Sequence, residues 1–401
     1  MENKKQFLVM LALFSLLVQS SCSTMAANLD SIVSCSNGTN PIPISQDFQF
    51  PGDLLFLRSD HSEILALNGE THKLTSVFKM PNHDFYGVSP LSYNGETLVL
   101  SYQKPLDKES LLITVLSNRG IVETKSIPFP VWGQSQKKPN SWTPVVWVNN
   151  DYLLGMLYDK ENHEDNVWEP WLLNVERLEW KSLSSINNTL DSVKNSSFSI
   201  SPDLTKVLYL NKQYQLVLYD LIQNKAVWTY NDYDSPIFLG ATWSEDGKMV
   251  ATVIPNTANE GQQGILVLDQ NGKILLLMNF REMPLSLSMS NDEKFLSFWG
   301  YHRIGQTTSS GLRPVIRMMD MNTGLSRDLC MLSENAHSIE TMFWSPDQQF
   351  LAFNLQNSNV RNEVIIQKLN DPQLRVWRLD DETPYFDFLG WSKKHWNKAE
   401  P

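Results

Sequence analysis

Three cysteines in 401 residues leave little material for thiol chemistry. A disulfide-dense scaffold and a four-cysteine zinc site are both excluded. No C-x-x-C pair occurs, and the seven histidines are scattered without metal-ligand spacing. The chain also lacks a G-x-S-x-G elbow, an H-E-x-x-H pair and a Walker loop. No catalytic residue, metal or cofactor is assigned on these grounds. Basic residues are outnumbered, 33 Lys and Arg against 44 Asp and Glu, for a net charge of −11. That balance disfavours a nucleic-acid partner. Helical periodicity is weak throughout, so an all-β chain is expected.

Long apolar runs are missing too, with one exception. MENKK is followed by FLVMLALFSLLV, residues 7–18, and then by small and polar residues. This is the pattern of an export signal rather than of a membrane span, which needs about 20 apolar residues. Two processing sites compete. QSSC, residues 19–22, is similar to the lipobox of bacterial lipoproteins, although Gln19 stands where that box has an apolar residue. Lipidation at Cys22 would make residues 1–21 the signal peptide; cleavage after Ala26 would make it residues 1–26. Residues 22–50 then read as a tether or lead-in, and residues 397–401 as a tail. With Cys22 consumed, Cys35 and Cys330 remain. In an exported chain they are either a disulfide pair or two separate thiols. The expected location is outside the cytoplasm, at a bacterial cell envelope or secreted, with membrane contact only through the lipid.

What the sequence has in quantity is one phrase written repeatedly. TWSEDGKMVATV (242–253) returns as FWSPDQQFLAFN (343–354), SMSNDEKFLSFW, SISPDLTKVLYL and LSYNGETLVLSY. Degenerate copies stand at Asn149 (WVNNDYLLGML) and Ser392 (GWSKKHW). Aligned on Ser92, Asn149, Ser201, Ser244, Ser290, Ser345 and Ser392, the copies recur every 43–57 residues. That period suits a propeller blade. Each unit reads as a short strand ending in an aromatic, a tight Asp/Asn/Gly turn, and a second apolar strand. A variable connection, a third strand such as GILVLD and a fourth such as ILLLMNF complete it. The ends complement each other. DLLFLRSDHSEILALNGETHKLTSVF supplies strands two to four with no first strand, and FDFLGWS supplies a first strand alone. The expectation is a single seven-bladed β-propeller over residues 51–396, closed by N- and C-terminal strands.

The aromatic followed by S-P-D or S-E-D-G and a strand such as LAF resembles the TolB-type, WD40-like β-propeller repeat, over residues 51–392. The resemblance implies the fold and is nearly silent on function. The α/β domain that precedes the propeller in TolB, and the hydrolase domain of propeller peptidases, have no counterpart here. Asp246, Gly247 and Asp347 are expected to shape hairpins, and Trp243 and Trp344 to pack between blades.

Alternate connections of an up-and-down blade emerge on opposite faces. One set here is short; the other, between strands two and three and between blades, is long and varied. Loops on a rigid scaffold carry binding residues. Two loops, 159–170 and 300–314, hold the candidates. DKENHEDNVWEPW offers Glu164, Asp165, Trp168 and Trp171. Its carboxylates suit a cation and its aromatics a sugar or protein, but it lacks the Asp series of a calcium loop. YHRIG offers Tyr301, His302 and Arg303, a set that suits a carboxylate or phosphate. The expected function is a non-catalytic binding or scaffold module for a protein or cell-envelope polymer. The alternative is a propeller hydrolase or lyase acting on a glycan or lactone in the central tunnel, since propellers can gather catalytic groups from several blades.

Overall fold

The repeated Ser-x-Asp phrase is a joint between the first two strands of a blade. In five copies the buried serine donates its hydroxyl to the Asp or Asn two residues on, at 2.5–2.8 Å. The same serine oxygen accepts the backbone N–H five residues on, at 2.9–3.0 Å. The carboxylate or amide oxygen accepts the N–H two residues beyond its own, at 2.9–3.2 Å. The fourth residue of the turn lies in the left-handed region in all five: Gly95 (φ 71°), Leu204 (59°), Gly247 (72°), Glu293 (60°) and Gln348 (61°). Glycine carries no steric cost there, and the other three bear it because the hydrogen bonds fix the turn. Ser345→Ala should therefore strand the Phe350 N–H and remove one of the hydrogen bonds to the Asp347 carboxylate, costing about 1–3 kcal/mol by denaturant unfolding. A loss under about 0.5 kcal/mol would mean that the backbone bonds alone hold the turn.

The computed structural model describes residues 34–35, 41–58, 60–81, 84–104, 107–130, 141–158, 169–183, 198–211, 213–231, 240–256, 262–280, 283–303, 312–332, 336–357, 363–378 and 386–397. They form seven sheets, each containing a four-stranded antiparallel blade, which together make a seven-bladed β-propeller. Blade one is the composite anticipated from the two ends. Its inner strand, Phe386–Ser392, pairs antiparallel with Asp53–Arg58, and two further strands follow outward. Blades two to seven begin with inner strands Asp84–Val88, Ser141–Trp147, Phe198–Ile200, Ala241–Trp243, Leu285–Met289 and Ala336–Trp344.

The core is a ring of apolar layers between neighbouring blades, because the second and third strands, such as Asp53–Arg58, Glu63–Asn68, Lys206–Leu210 and Leu216–Asp220, are apolar on both faces. The aromatic before the joint serine staples this ring. The Trp147 indole N–H donates to the Pro90 carbonyl at 2.7 Å, Trp243 to Ser199 Oγ at 3.0 Å and Trp344 to the Ser288 carbonyl at 3.2 Å. Each bond crosses to the preceding inner strand. Trp391 donates to the Pro51 carbonyl at 2.6 Å, tying the closing strand to the start of the ring. At blade three, Gly155 is required by close approach: any Cβ there would overlap the buried Trp142 indole.

The segment read as a tether or lead-in is part of the structure where it is described. Cys35 and Cys330 are joined in a disulfide with Cα atoms 4.9 Å apart, which fastens the segment to blade six. Ile42–Pro43 then adds a fifth, parallel strand to the outer edge of blade seven. Phe48 and Phe50 sink into the layer between blades seven and one. Cys22 and both processing sites lie outside the described residues.

Candidate functional site

The innermost strands surround a central channel, and a cavity of about 480 Å³ fills its half nearest the short turns. Residues from all seven inner strands or their turns line it. Several inner strands bulge where they face it. In blade three the extra residue is Val145, between Pro144 and Val146 of the register. In blade six Ser286 and Leu287 together oppose one partner position, and Ser286 takes a φ of 49°. In blade seven the bulge is held by buried Asn354, whose Oδ1 accepts from the Thr341 N–H at 3.0 Å and the Thr341 hydroxyl at 2.9 Å. Bulges of this kind re-aim side chains, and here they turn small and apolar groups toward the axis.

The channel mouth is built from the variable residue of five of the seven joints. In S-x-D the Ser and Asp are committed to the turn, while x is left over. At x stand Tyr93, Glu245, Asn291, Pro346 and, in the S-K-K copy, Lys393, and all five line the cavity. Hydrogen bonds join neighbouring turns at four of the seven junctions of the ring. The Asn94 N–H donates to Asn150 Oδ1 at 2.9 Å, Asn149 Nδ2 to the Pro202 carbonyl at 2.6 Å, and the Asn291 N–H to Gln348 Oε1 at 3.1 Å. Ser392 Oγ reaches the Gly95 carbonyl at 2.9 Å. These bonds fix the turns of blades one to four, and of blades six and seven, relative to one another.

Electrostatics at this face have local causes. Burial opposes ionisation of Asp246, but hydrogen bonds from Lys248 and Ser244 outweigh it and hold the carboxyl at about 2. Glu293, partly buried and beside Asp246, is pushed up instead. Tyr93 is 39% exposed to the channel solvent yet encircled by the inner strands. That desolvation, together with the Glu245 charge, pushes its phenol up to about 12. At blade one, buried Asp53 accepts from the Trp396 N–H at 2.6 Å and meets His395 Nδ1 at 2.8 Å. The Asp53 contact holds the His395 imidazole above its usual range, with Glu70 adding to it. This pair clasps the C-terminal residues to blade one and stands apart from the channel lining.

The sequence-derived candidates are dispersed. Glu164, Asp165 and Trp168 lie outside the described residues. Trp171 is corrected: it belongs to strand Glu169–Asn174, not to a loop, and is buried at 8% exposure with Trp142 and Trp147 in the layer between blades two and three. An indole so placed is packing, not an outward anchor. The other loop is shorter than expected, because strands extend to Arg303 and resume at Leu312. Tyr301 is half-buried, edge-on to Trp299 at 5.1 Å, and burial pushes its phenol up. His302 and Arg303 follow it on the same strand, opposite Arg313 and Leu312; their side chains are outside the described set. Among the described residues no three His, Cys, Asp or Glu side chains form a metal-binding group. No helix among them is long and apolar enough to cross a membrane.

The channel-mouth residues were missed by reasoning from the sequence. Their signal was present: x changes chemistry from copy to copy, whereas in five copies the Ser and the Asp or Asn beside it do not.

No protein-family profile and no curated protein matches the chain. Similar solved structures include the β-propeller domain of Cps50 (Swd1) from Myceliophteria thermophila, 11% identical over 86% of this chain and 98% of that one, with a TM-score of 0.44. A putative 6-phosphogluconolactonase from Bacteroides uniformis is 13% identical over 84% of this chain and 95% of that one, with a TM-score of 0.44. The tricorn protease is 11% identical over 86% of this chain and 41% of its own, with a TM-score of 0.37.

Proposed function

We propose that the chain is an exported, TolB-type binding or scaffold propeller. Its long-connection face would hold a protein or a cell-envelope polymer. The observation that carries this reading is the inequality of the two faces. On one, short turns are hydrogen-bonded to their neighbours at four junctions of the ring. On the other, strand ends are separated by residues 129–140, 159–168, 183–197 and 304–311. Long connections cost chain entropy and do nothing to close a ring, so their collection on one side supports use. The export signal and the Cys35–Cys330 disulfide support a location outside the cytoplasm, where such bonds persist. Intact mass of the exported chain distinguishes lipid on Cys22 from a chain beginning at Ala27.

The test begins with capture of a partner from envelope extract by the exported domain. Trp168→Ala and Arg303→Ala should each weaken binding of that partner about tenfold, leaving the melting temperature unchanged. Unchanged affinity in both variants would remove the site from this face.

A further inference from the structure

We infer that the short-turn mouth of the channel is a second, independent binding site, for a small organic cation with an apolar body. Three observations converge on that chemistry. The wall below the mouth is apolar and open to the channel: Val146 is 44% exposed, and Phe198, Leu287 and Phe343 stand beside it on other blades. A volume of about 480 Å³ accommodates a single ring or short aliphatic body with room to spare. At the rim, Glu245 has no ion-pair or hydrogen-bond partner among the described residues, so its carboxylate is available.

The third observation is that Tyr93 and Glu245, from blades two and five, line the same mouth. Burial, with the Glu245 charge adding to it, disfavours ionisation of the phenol. The tyrosine thus remains neutral. It offers a π face to a cation and a hydroxyl to a hydrogen-bond acceptor, while the glutamate offers charge. Lys393, on blade one beside Gly95, is the opposing charge at the rim. A single ammonium avoids it by binding at the Glu245 side, whereas a wide dication would meet it. The net charge of −11 draws cations toward the molecule from a distance. The joined turns of blades one, two and three hold Lys393 and Tyr93 in place before the ligand arrives, which lowers the ordering cost of binding.

The probes are three molecules of one shape: phenethylamine, 2-phenylethanol and 3-phenylpropionate, titrated into the exported domain by calorimetry and by NMR. Phenethylamine should saturate and bind about tenfold or more tighter than the alcohol, with the propionate weakest. Glu245→Gln should remove that preference, bringing the amine to the affinity of the alcohol without moving the melting temperature, since residue 245 is an exposed position of the turn. Val146→Trp should block both ligands by filling the wall. Absence of saturable amine binding, preference for the propionate, or unchanged amine affinity in Glu245→Gln would each overturn the assignment. Because the site lies at the opposite end of the blades from the strand ends Tyr158, Glu169, Arg303 and Leu312, none of these outcomes depends on the partner-binding reading.

Discussion

Deletion of residues 385–401 should abolish the cooperative fold, not merely loosen one blade. The deleted segment is the inner strand of blade one and the residues that clasp it. It removes Phe386, Phe388, Leu389, Trp391 and Trp396, all buried. Five large apolar side chains at about 1.5–3 kcal/mol each amount to roughly 10 kcal/mol. That is comparable with the whole stability of an ordinary domain, about 5–15 kcal/mol. The deletion also leaves the strand Asp53–Arg58 with an unpaired inner edge, and strips buried Asp53 of the Trp396 N–H and of His395. Calorimetry of the truncated chain should show no unfolding transition, and its exposed edge should promote aggregation. A transition at the temperature of the full chain would mean that the ring does not depend on terminal closure.

That closure was readable in the sequence because both halves of blade one carry recognisable strands, and only a ring brings them together. The blades were readable for a related reason. The Ser-x-Asp joint is a local device, satisfied within six residues, so its chemistry shows in any short window. Where the device is rewritten, the pattern fades but the physics persists. In blade three Asn149 does the work alone, its Oδ1 accepting the N–H groups of Asp151 and Tyr152, both at 2.8 Å. In blade one Ser392 accepts instead from the Trp396 indole at 2.9 Å.

What could not be read depends on distant partners. Residues 34–35 and 41–48 show no strand alternation, and their distant partners lie some three hundred residues away, on blades six and seven. Trp171 looked like part of a loop because the boundary of its strand is set by pairing with Met156 and Gly155, not by its own neighbours. The channel mouth was overlooked for the opposite reason. Tyr93, Glu245 and Lys393 occupy the position at which the repeat is indifferent, so a search for what recurs passes over them.

Cys35→Ser should cost about 3–5 kcal/mol, the second-largest effect expected from a single change. The bridge to Cys330 spans 295 residues, and cross-links over long loops restrict the unfolded chain most. Its loss acts on the native state as well. The Cys35 N–H donates to the Leu329 carbonyl at 2.7 Å, and Ser34 Oγ to the Asp328 carbonyl at 2.7 Å, so the disulfide reinforces a contact already made. From there the strap runs to Ile42–Pro43 on blade seven. It reaches Phe48, which sits edge-on to Phe350 at 6.0 Å and beneath the Arg375 guanidinium at 5.1 Å. Freed at Cys35, the segment keeps these contacts but loses the anchor that places it across blades six, seven and one, where the ring is closed by separate ends of the chain. The melting temperature should fall by roughly 5 °C. Reduction of the unmodified protein should lower it by a similar amount and should leave Cys35→Ser unaffected. If the variant melts with the unmodified protein under oxidising conditions, strand pairing and the two phenylalanines suffice, and the strap needs no covalent anchor.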